Sequence, residues 1–137
     1  MDLTSSSQIL GIGIDLVENA RIARSITEFG DRFLHRVFCE GEIAYCQTMR
    51  NSTPHYAARF AAKEAVSKAF GCGIGDQLGW LDIEVVRSQS GLPAVLLHGH
   101  GQELAGQRGV TRIFLSLSHT EHYAVANVLL SGNHEPA

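Results

Sequence analysis

The sequence lacks the features of a membrane-spanning, secreted or disulfide-bonded protein. Among its 137 residues, no apolar run approaches the roughly 18 that span a bilayer, and its first residues show no basic segment followed by an apolar one. The three cysteines, Cys39, Cys46 and Cys72, are odd in number and lack CxxC spacing, so they indicate neither a disulfide framework nor a zinc site. We therefore expect a cytoplasmic protein with no membrane partner, whose cysteines are small buried residues.

An excess of positive charge is also absent. The formal net charge is -3, from 11 Lys and Arg residues against 14 Asp and Glu residues. Proteins that bind nucleic acids usually carry an overall basic surface, so we predict no nucleic-acid partner. Two glycine-rich stretches, GIGID at 11–15 and GCGIG at 71–75, lack the GxGxxG spacing and the Lys-Ser ending that predict nucleotide-binding loops.

The order of the structural patterns favours an α+β fold. An apolar run at 9–17, in which Asp15 is the only charge, predicts a buried strand that ends near this aspartate. Helical spacing follows, and the alanine-rich segment 54–70 predicts a long central helix that ends at Gly71. A short helix is predicted at 101–108, within a run of four predicted strands at 81–87, 93–98, 112–117 and 123–130. We predict one domain at 10–130, with a leader at 1–9 and a tail at 131–137.

Two carboxylates and a lysine are candidates for a magnesium-phosphate site. Magnesium prefers hard oxygen ligands and is commonly held by one or two carboxylates together with substrate phosphates, which Asp15 and Glu64 could supply. Lys68 follows Glu64 by about one helical turn, so the two share a helix face and the lysine could balance phosphoryl charge. The alternatives are an exposed Glu64–Lys68 pair, worth about 0.3–0.5 kcal/mol, and an Asp15 that caps the following helix.

Cationic residues are concentrated near the N-terminus of a chain that is acidic overall. Such a cluster is either a docking surface for an acidic protein partner or a solvated helix face. The cluster consists of Arg21, Arg24, Arg32 and Arg36. Among the seven histidines, His119 lies beside two hydroxyl residues at the end of an apolar segment, and no set of histidines shows complete metal-ligand spacing.

Four motifs, taken in order, resemble the holo-(acyl carrier protein) synthase family of phosphopantetheinyl transferases. They are GIGIDLVE at 11–18, RFAAKEAVSKAFG at 59–71, GLPAV at 91–95 and SLSHT at 116–120. The resemblance extends over about residues 10–130 and implies one long central helix on a small, mainly antiparallel sheet. It also implies a homotrimer whose active sites lie at subunit interfaces.

The implied activity transfers the 4'-phosphopantetheine group of coenzyme A to a serine of apo acyl carrier protein. The products are holo acyl carrier protein and 3',5'-ADP, and the reaction supports fatty acid biosynthesis. By the same resemblance, Asp15 and Glu64 would bind the cofactor Mg2+, and Lys68 would stabilise negative charge in the transition state. The remaining implied contacts are those of coenzyme A with Arg59, Lys63, Lys68, Gly71, Pro93 and His119, and those of acyl carrier protein with Arg21, Arg24, Arg32 and Arg36.

The sequence departs from the family at Cys72, where a small polar residue is more common. Two other functions are compatible with the same residues: a non-catalytic module that binds coenzyme A or acyl carrier protein, and a magnesium-dependent phosphohydrolase. Retention of both carboxylates and Lys68 argues against the first function. The second lacks an obvious water-activating base and further metal ligands.

Overall fold

The computed structural model describes residues 7–133 and has an α+β architecture, in which a long helix lies against a three-stranded sheet. Most of the predicted leader and the end of the predicted tail lie outside the described residues. Regular structure begins at Gln8 and ends at Gly132, slightly beyond the predicted domain limits of 10 and 130. Within the described range, no helix is both long enough and apolar enough to cross a membrane.

The main sheet is antiparallel and has the strand order β1–β5–β4. Its strands are β1 (Gln8–Glu18), β4 (Val110–His119) and β5 (Tyr123–Gly132). Strand β1 continues past Asp15, which lies opposite Ala126, as far as Glu18, which lies opposite Tyr123. The predicted end of the strand near Asp15 is therefore too early, because β5 supplies pairing partners for three further residues, 16, 17 and 18.

The prediction that β1 is a buried strand is wrong for one of its two faces. Gly13 and Val17 are buried on the inner face. On the outer face, Ile12, Ile14 and Leu16 have 64%, 60% and 63% of their surface exposed. The sequence pattern hid this asymmetry because glycine and isoleucine alternate, so both faces look apolar.

The predicted central helix is confirmed as α4 (Thr53–Phe70), which packs on the inner face of β1 and β5. Pro54 lies in its first turn, where the missing N–H has no helical partner to lose. Small buried side chains face the sheet: Ala57, Ala61, Ala62 and Ala65. The helix ends at Gly71, whose φ of 78° is a left-handed conformation that glycine adopts without strain.

The glycines of the GIGID motif allow α4 to approach β1 closely. A Cβ atom on Gly11 would collide with the carbonyl oxygen of Ala69, and one on Gly13 would collide with the carbonyl oxygen of Ala65. These glycines therefore serve helix-strand packing, and they bring the next inward-facing residue of β1, Asp15, beside the helix.

The remaining elements cover the other sides of α4. Three helices separate β1 from α4: α1 (Asn19–Phe29), α2 (Asp31–Val37) and α3 (Glu40–Gln47). A short 3-10 turn (Trp80–Asp82) leads into an antiparallel hairpin of β2 (Ile83–Arg87) and β3 (Pro93–Leu97), and α5 (His100–Arg108) follows. The predicted strands thus form two antiparallel sheets rather than one, because β2 and β3 pair with each other alone.

Candidate active site

Asp15 and Lys68 meet at the contact between β1 and α4. The Lys68 Nζ atom lies 2.9 Å from the Asp15 Oδ1 atom and 3.2 Å from the carbonyl oxygen of Ile14. The side chain of Lys68 is 51% exposed and that of Asp15 is 15% exposed, so the carboxylate is sheltered while the ammonium group reaches solvent. The alternative role of Asp15, as a cap of the following helix, does not hold, because this residue lies within β1 and the helix begins four residues later, at Asn19.

Glu64 is the third member of this cluster. Its pKa is raised, first by burial and then by the negative charge of Asp15, while Lys68 and Arg21 act in the opposite direction. The pKa of Lys68 is also raised, chiefly because it donates a hydrogen bond to Asp15. Two carboxylates that repel each other in a partly buried site favour an added cation.

The donor set fits a magnesium ion. Asp15 and Glu64 offer hard carboxylate oxygens, and their mutual repulsion is the kind that a divalent cation relieves. Two protein ligands leave room for water and for phosphate oxygens, which is how magnesium is usually bound beside a phosphorylated substrate. We refer to Asp15, Glu64 and Lys68 as the carboxylate site.

A second polar cluster surrounds Arg59. The Arg59 guanidinium lies over the ring of Tyr45, at 4.4 Å from its centroid, and donates a hydrogen bond of 3.4 Å to the carbonyl oxygen of His55. The His119 ring packs edge-on against the ring of His55, with 5.4 Å between centroids. The pKa of His55 is lowered chiefly by burial and then by the neighbouring cationic groups His119, Arg59 and Arg87. The buried Nε atom of Arg59 has no hydrogen-bond partner among the described residues.

The fold brings Arg59 and His119 beside the same residue, His55, and forms no bond between them and the carboxylate site within the described residues. Among residues 7–133, no hydrogen bond or ion pair links the Arg59 cluster to Asp15, Glu64 or Lys68. The sequence reasoning missed His55, Tyr45 and Arg87 as members of this cluster. The signal for His55 was present, because it precedes Arg59 by four residues and such residues are neighbours on a helix.

Lys63 is not available for the coenzyme A contact that the resemblance implies. Its side chain has no exposed surface, and its Nζ atom lies 2.7 Å from the Glu42 Oε1 atom. It also donates hydrogen bonds to the carbonyl oxygens of Trp80, at 2.9 Å, and Ile83. Because every one of these partners is protein, we assign Lys63 to the core and leave it out of the ligand site.

The other two implied coenzyme A contacts lie in different places. Gly71 ends α4, three residues after Lys68, and is exposed, so its backbone is accessible beside the carboxylate site. Pro93 begins β3 in the separate hairpin and is half-buried. Neither residue contacts the Arg59 cluster through a hydrogen bond in the part of the chain that is described.

The four arginines are all exposed and occupy α1 and α2. Arg21 lies over the ring of Phe60, at 5.3 Å from its centroid, and so close to Glu64 that it affects the glutamate's pKa. Arg32 and Arg36 line a groove of about 240 Å³ between α1 and α2, whose apolar walls are Phe29 and Phe33. The arginines are therefore distributed over two neighbouring helices, and one of them lies at the edge of the carboxylate site.

Comparisons with known proteins agree with this architecture. A family model described as the 4'-phosphopantetheinyl transferase superfamily matches residues 11–128. A curated relative named holo-[acyl-carrier-protein] synthase, from Koribacter versatilis, is 52% identical over 122 residues, which cover 89% of this chain and 98% of the relative. The chain therefore belongs to the 4'-phosphopantetheinyl transferase superfamily, and the resemblance of its motifs is confirmed.

Two solved structures are similar in fold. The crystal structure of holo-[acyl-carrier-protein] synthase from Neisseria meningitidis has a TM-score of 0.84 and 31% identity, and it matches over 90% of this chain and 98% of that one. The structure of a holo-(acyl-carrier-protein) synthase from Bacillus anthracis, in complex with CoA (3',5'-ADP), has a TM-score of 0.76 and 36% identity. That match covers 91% of this chain and 98% of the other.

Proposed function

We propose that this chain transfers the 4'-phosphopantetheine group of coenzyme A to a serine of apo acyl carrier protein, in support of fatty acid biosynthesis. Its relatives carry the name of this activity, and one solved relative is a complex with CoA. The observation that carries the proposal is the meeting of Asp15, Glu64 and Lys68 on facing elements, with an exposed ammonium beside two carboxylates.

We assign Asp15 and Glu64 as the residues that would hold Mg2+. When bound, the ion supplies neutralising charge for the diphosphate oxygens of coenzyme A. The raised pKa of Glu64 supports this assignment, because a carboxylate held close to another negative charge gains most from a cation. If Asp15 and Glu64 hold the ion in this way, transfer depends on magnesium.

Lys68 would stabilise the transferred phosphoryl group. Its Nζ atom is already oriented by Asp15 and by the carbonyl oxygen of Ile14, and its third hydrogen is left for a ligand on the exposed side. The serine Oγ attacks the β-phosphorus, and the bond from that phosphorus to the oxygen of 3',5'-ADP breaks. An oriented ammonium stabilises the charge that develops on the phosphoryl oxygens without having to reorganise. The serine proton passes to Glu64 or to a water molecule beside it.

We further propose a homotrimer, in which the Arg59 cluster of one subunit completes the carboxylate site of a neighbour. The two half-sites are separate in one chain, and each is suited to a different anionic part of coenzyme A. The exposed outer face of the main sheet supplies a surface for association: Ile12, Ile14 and Leu16, with Phe114 on β4. Burying one large aliphatic side chain of this kind contributes about 1.5–3 kcal/mol, so such a face favours an interface.

Acyl carrier protein would dock on α1 and α2. Arg21, at the edge of the carboxylate site, and Arg24 would guide an acidic partner towards the metal, and the groove beside Arg32 and Arg36 would receive an apolar side chain. Complementary charge speeds encounter and fixes orientation more than it adds affinity. Coenzyme A and acyl carrier protein are thus the proposed substrates of one composite site.

Mass spectrometry of the carrier protein tests the function directly. Incubation with apo acyl carrier protein, coenzyme A and magnesium should raise the carrier mass by one phosphopantetheine. Release of phosphate without carrier modification would indicate a phosphohydrolase. Binding of coenzyme A without turnover would indicate a non-catalytic module. Lys68→Met provides the inactive control, since it removes the oriented ammonium and leaves both carboxylates.

A further inference from the structure

Three side chains of metal-binding type meet outside the carboxylate site. Cys39 immediately precedes α3, Glu84 lies on β2, and His98 follows β3. The Cys39 Sγ atom, a carboxylate oxygen of Glu84 and a ring nitrogen of His98 all lie within 4.8 Å of one another, and all three residues are half-buried. It is the one such group of three found in residues 7–133.

The hairpin fixes two members of this group. Glu84 lies opposite Leu96 in the β2–β3 register, and the His98 backbone N–H donates a hydrogen bond of 2.8 Å to the carbonyl oxygen of Asp82. Glu84 and His98 are therefore diagonal neighbours on the same face of the hairpin. The His98 Nε2 atom lies 2.8 Å from the Glu84 Oε1 atom, so the carboxylate already orients the imidazole.

The buried Glu42 fixes the third member. Its Oε1 atom accepts a hydrogen bond of 2.8 Å from the Cys39 backbone N–H, and its Oε2 atom accepts one of 2.8 Å from the backbone N–H of Val85. One carboxylate thus ties the start of α3 to β2. As a result, the thiol of Cys39 is held beside Glu84, although the two residues are 45 positions apart (84 − 39).

The chemistry of the three groups selects the ion. A thiol, an imidazole and a carboxylate form a borderline-soft set that suits zinc and differs from the all-oxygen set magnesium requires. Metal–ligand bonds of about 2.0–2.3 Å place tetrahedral ligands roughly 3.3–3.8 Å apart, so small side-chain rotations would close the present separations. The Cys39 Sγ atom makes long contacts of 3.8 Å to the carbonyl oxygens of Leu81 and Ile83.

We propose that Cys39, Glu84 and His98 bind one Zn2+ ion, with water as the fourth ligand. The His98 side chain is 43% exposed, which gives the ion an entry path and the water a place. Binding replaces the His98–Glu84 hydrogen bond and releases the thiol proton of Cys39 to solvent. The bound ion clamps the start of α3 to the β2–β3 hairpin, and its role is structural. The absence of CxxC spacing thus does not exclude zinc in this chain, because the ligands come together through the tertiary fold.

Cobalt spectroscopy and zinc titration test the site. The chelator-treated full chain would be titrated with Co2+ and, separately, with Zn2+ alone, both in excess magnesium so that the carboxylate site is occupied. We expect one ion per chain, a thiolate-to-cobalt charge-transfer band, and slower alkylation of Cys39 in the presence of zinc. Cys39→Ser should abolish the band, and Glu84→Gln should weaken zinc binding by more than the roughly 10–100-fold that loss of an outer partner costs.

Matched variants separate this site from general thiol or histidine binding. Cys72→Ser removes a half-buried cysteine outside the group, and His100→Ala removes an exposed histidine two residues beyond His98; both should keep the band and the zinc affinity. Zinc should raise the melting temperature of the unmutated chain but not that of folded Glu84→Gln. A cobalt band that survives Cys39→Ser, or zinc affinity unchanged in Glu84→Gln, would overturn the proposal.

Discussion

The buried pair of Lys63 and Glu42 allows a quantitative test of the reassignment of Lys63 to the core. Lys63→Met leaves the Glu42 carboxylate buried without its cation, and breaking such a pair by removing one partner costs about 3–5 kcal/mol. Glu42→Gln leaves the buried ammonium uncompensated and should cost a similar amount. A stability of about 5–15 kcal/mol is ordinary for a domain, so either variant should remain measurable at low temperature.

The double variant separates charge from hydrogen bonding. If the two losses of stability were additive, the double variant would lose about 6–10 kcal/mol. The double variant Lys63→Met with Glu42→Gln, however, removes both charges together and leaves neither one buried without a partner. What remains is the loss of one of the two hydrogen bonds that Glu42 accepts, from the backbone N–H of Cys39 or of Val85, and of those at the carbonyl oxygens of Trp80 and Ile83, each worth about 1–3 kcal/mol if left unsatisfied. We therefore expect the double variant to lose less stability than the sum of the two single effects, because it leaves no unpaired buried charge.

Urea unfolding at fixed protein concentration would measure these differences. The single tryptophan, Trp80, whose carbonyl oxygen accepts a hydrogen bond from Lys63, provides the fluorescence signal. Lys68→Met is the matched control, because its exposed ion pair should contribute no more than about 1 kcal/mol. If Lys63→Met stayed within about 1 kcal/mol of the unmutated chain and lost coenzyme A binding instead, Lys63 would be a ligand contact and the reasoning would be refuted.

Four further predictions concern the site and its surfaces. Glu64→Gln should fold normally and lose magnesium-dependent transfer, since it removes one hard ligand; titration calorimetry with magnesium and coenzyme A measures the loss. Reversing Arg21 and Arg24 to glutamate should raise KM for acyl carrier protein more than KM for coenzyme A, and should weaken the salt dependence of the carrier reaction. Ile14→Glu should shift the sedimentation coefficient from that of a trimer to that of a monomer and abolish activity. The lowered pKa of His55 favours the neutral ring in the folded chain, so the free energy of unfolding should fall as pH drops below about 6.5. The variant His55→Gln should lack this part of the pH dependence.

Two of these predictions have matched controls in the chain, and three have a direct contrary outcome. Reversing Arg50, which is exposed in the loop after α3, should leave both KM values unchanged. Leu92→Glu places the same charge on another exposed aliphatic residue, away from the sheet face, and should leave the sedimentation coefficient unchanged. Full transfer activity in Glu64→Gln at saturating magnesium would remove it from the site, and an active monomer would contradict the shared-site proposal. An NMR titration of His55 that gave an ordinary pKa would contradict the cation-rich cluster.

The central helix was predictable because its signals are local. Residues 54–70 combine high helix propensity with a proline at the start and Gly71 at the end, and the structure places α4 at Thr53–Phe70. The carboxylate site was predictable for a different reason. Asp15 and Glu64 lie in motifs that resemble a known family, whereas spacing alone favoured an exposed Glu64–Lys68 pair.

Features that depend on distant partners could not be predicted. Lys63 follows Arg59 by four residues and resembles a second ligand cation, but its environment is set by Glu42, which lies 21 residues earlier (63 − 42). Cys39, Glu84 and His98 have no motif spacing, since a hairpin register and one buried glutamate bring them together. The exposure of one face of β1 could not be predicted, because the glycines of the inner face and the isoleucines of the outer face are both apolar.

The glycines of β1 belong to the active site although they have no side chain to offer it. Because Gly11 and Gly13 leave no Cβ between β1 and α4, the backbones of the strand and the helix touch. The distance between Asp15 and the helix face that carries Glu64 and Lys68 is therefore set by contact between the two backbones. Such a contact cannot be relieved by a change of side-chain rotamer. A single methyl group at residue 13 would collide with α4 and push the helix away from β1. Asp15 would then move apart from Glu64 and Lys68, with which it is proposed to act on one phosphoryl group. The spacing that the proposed reaction requires is thus set by a residue that offers no side chain to the carboxylate site.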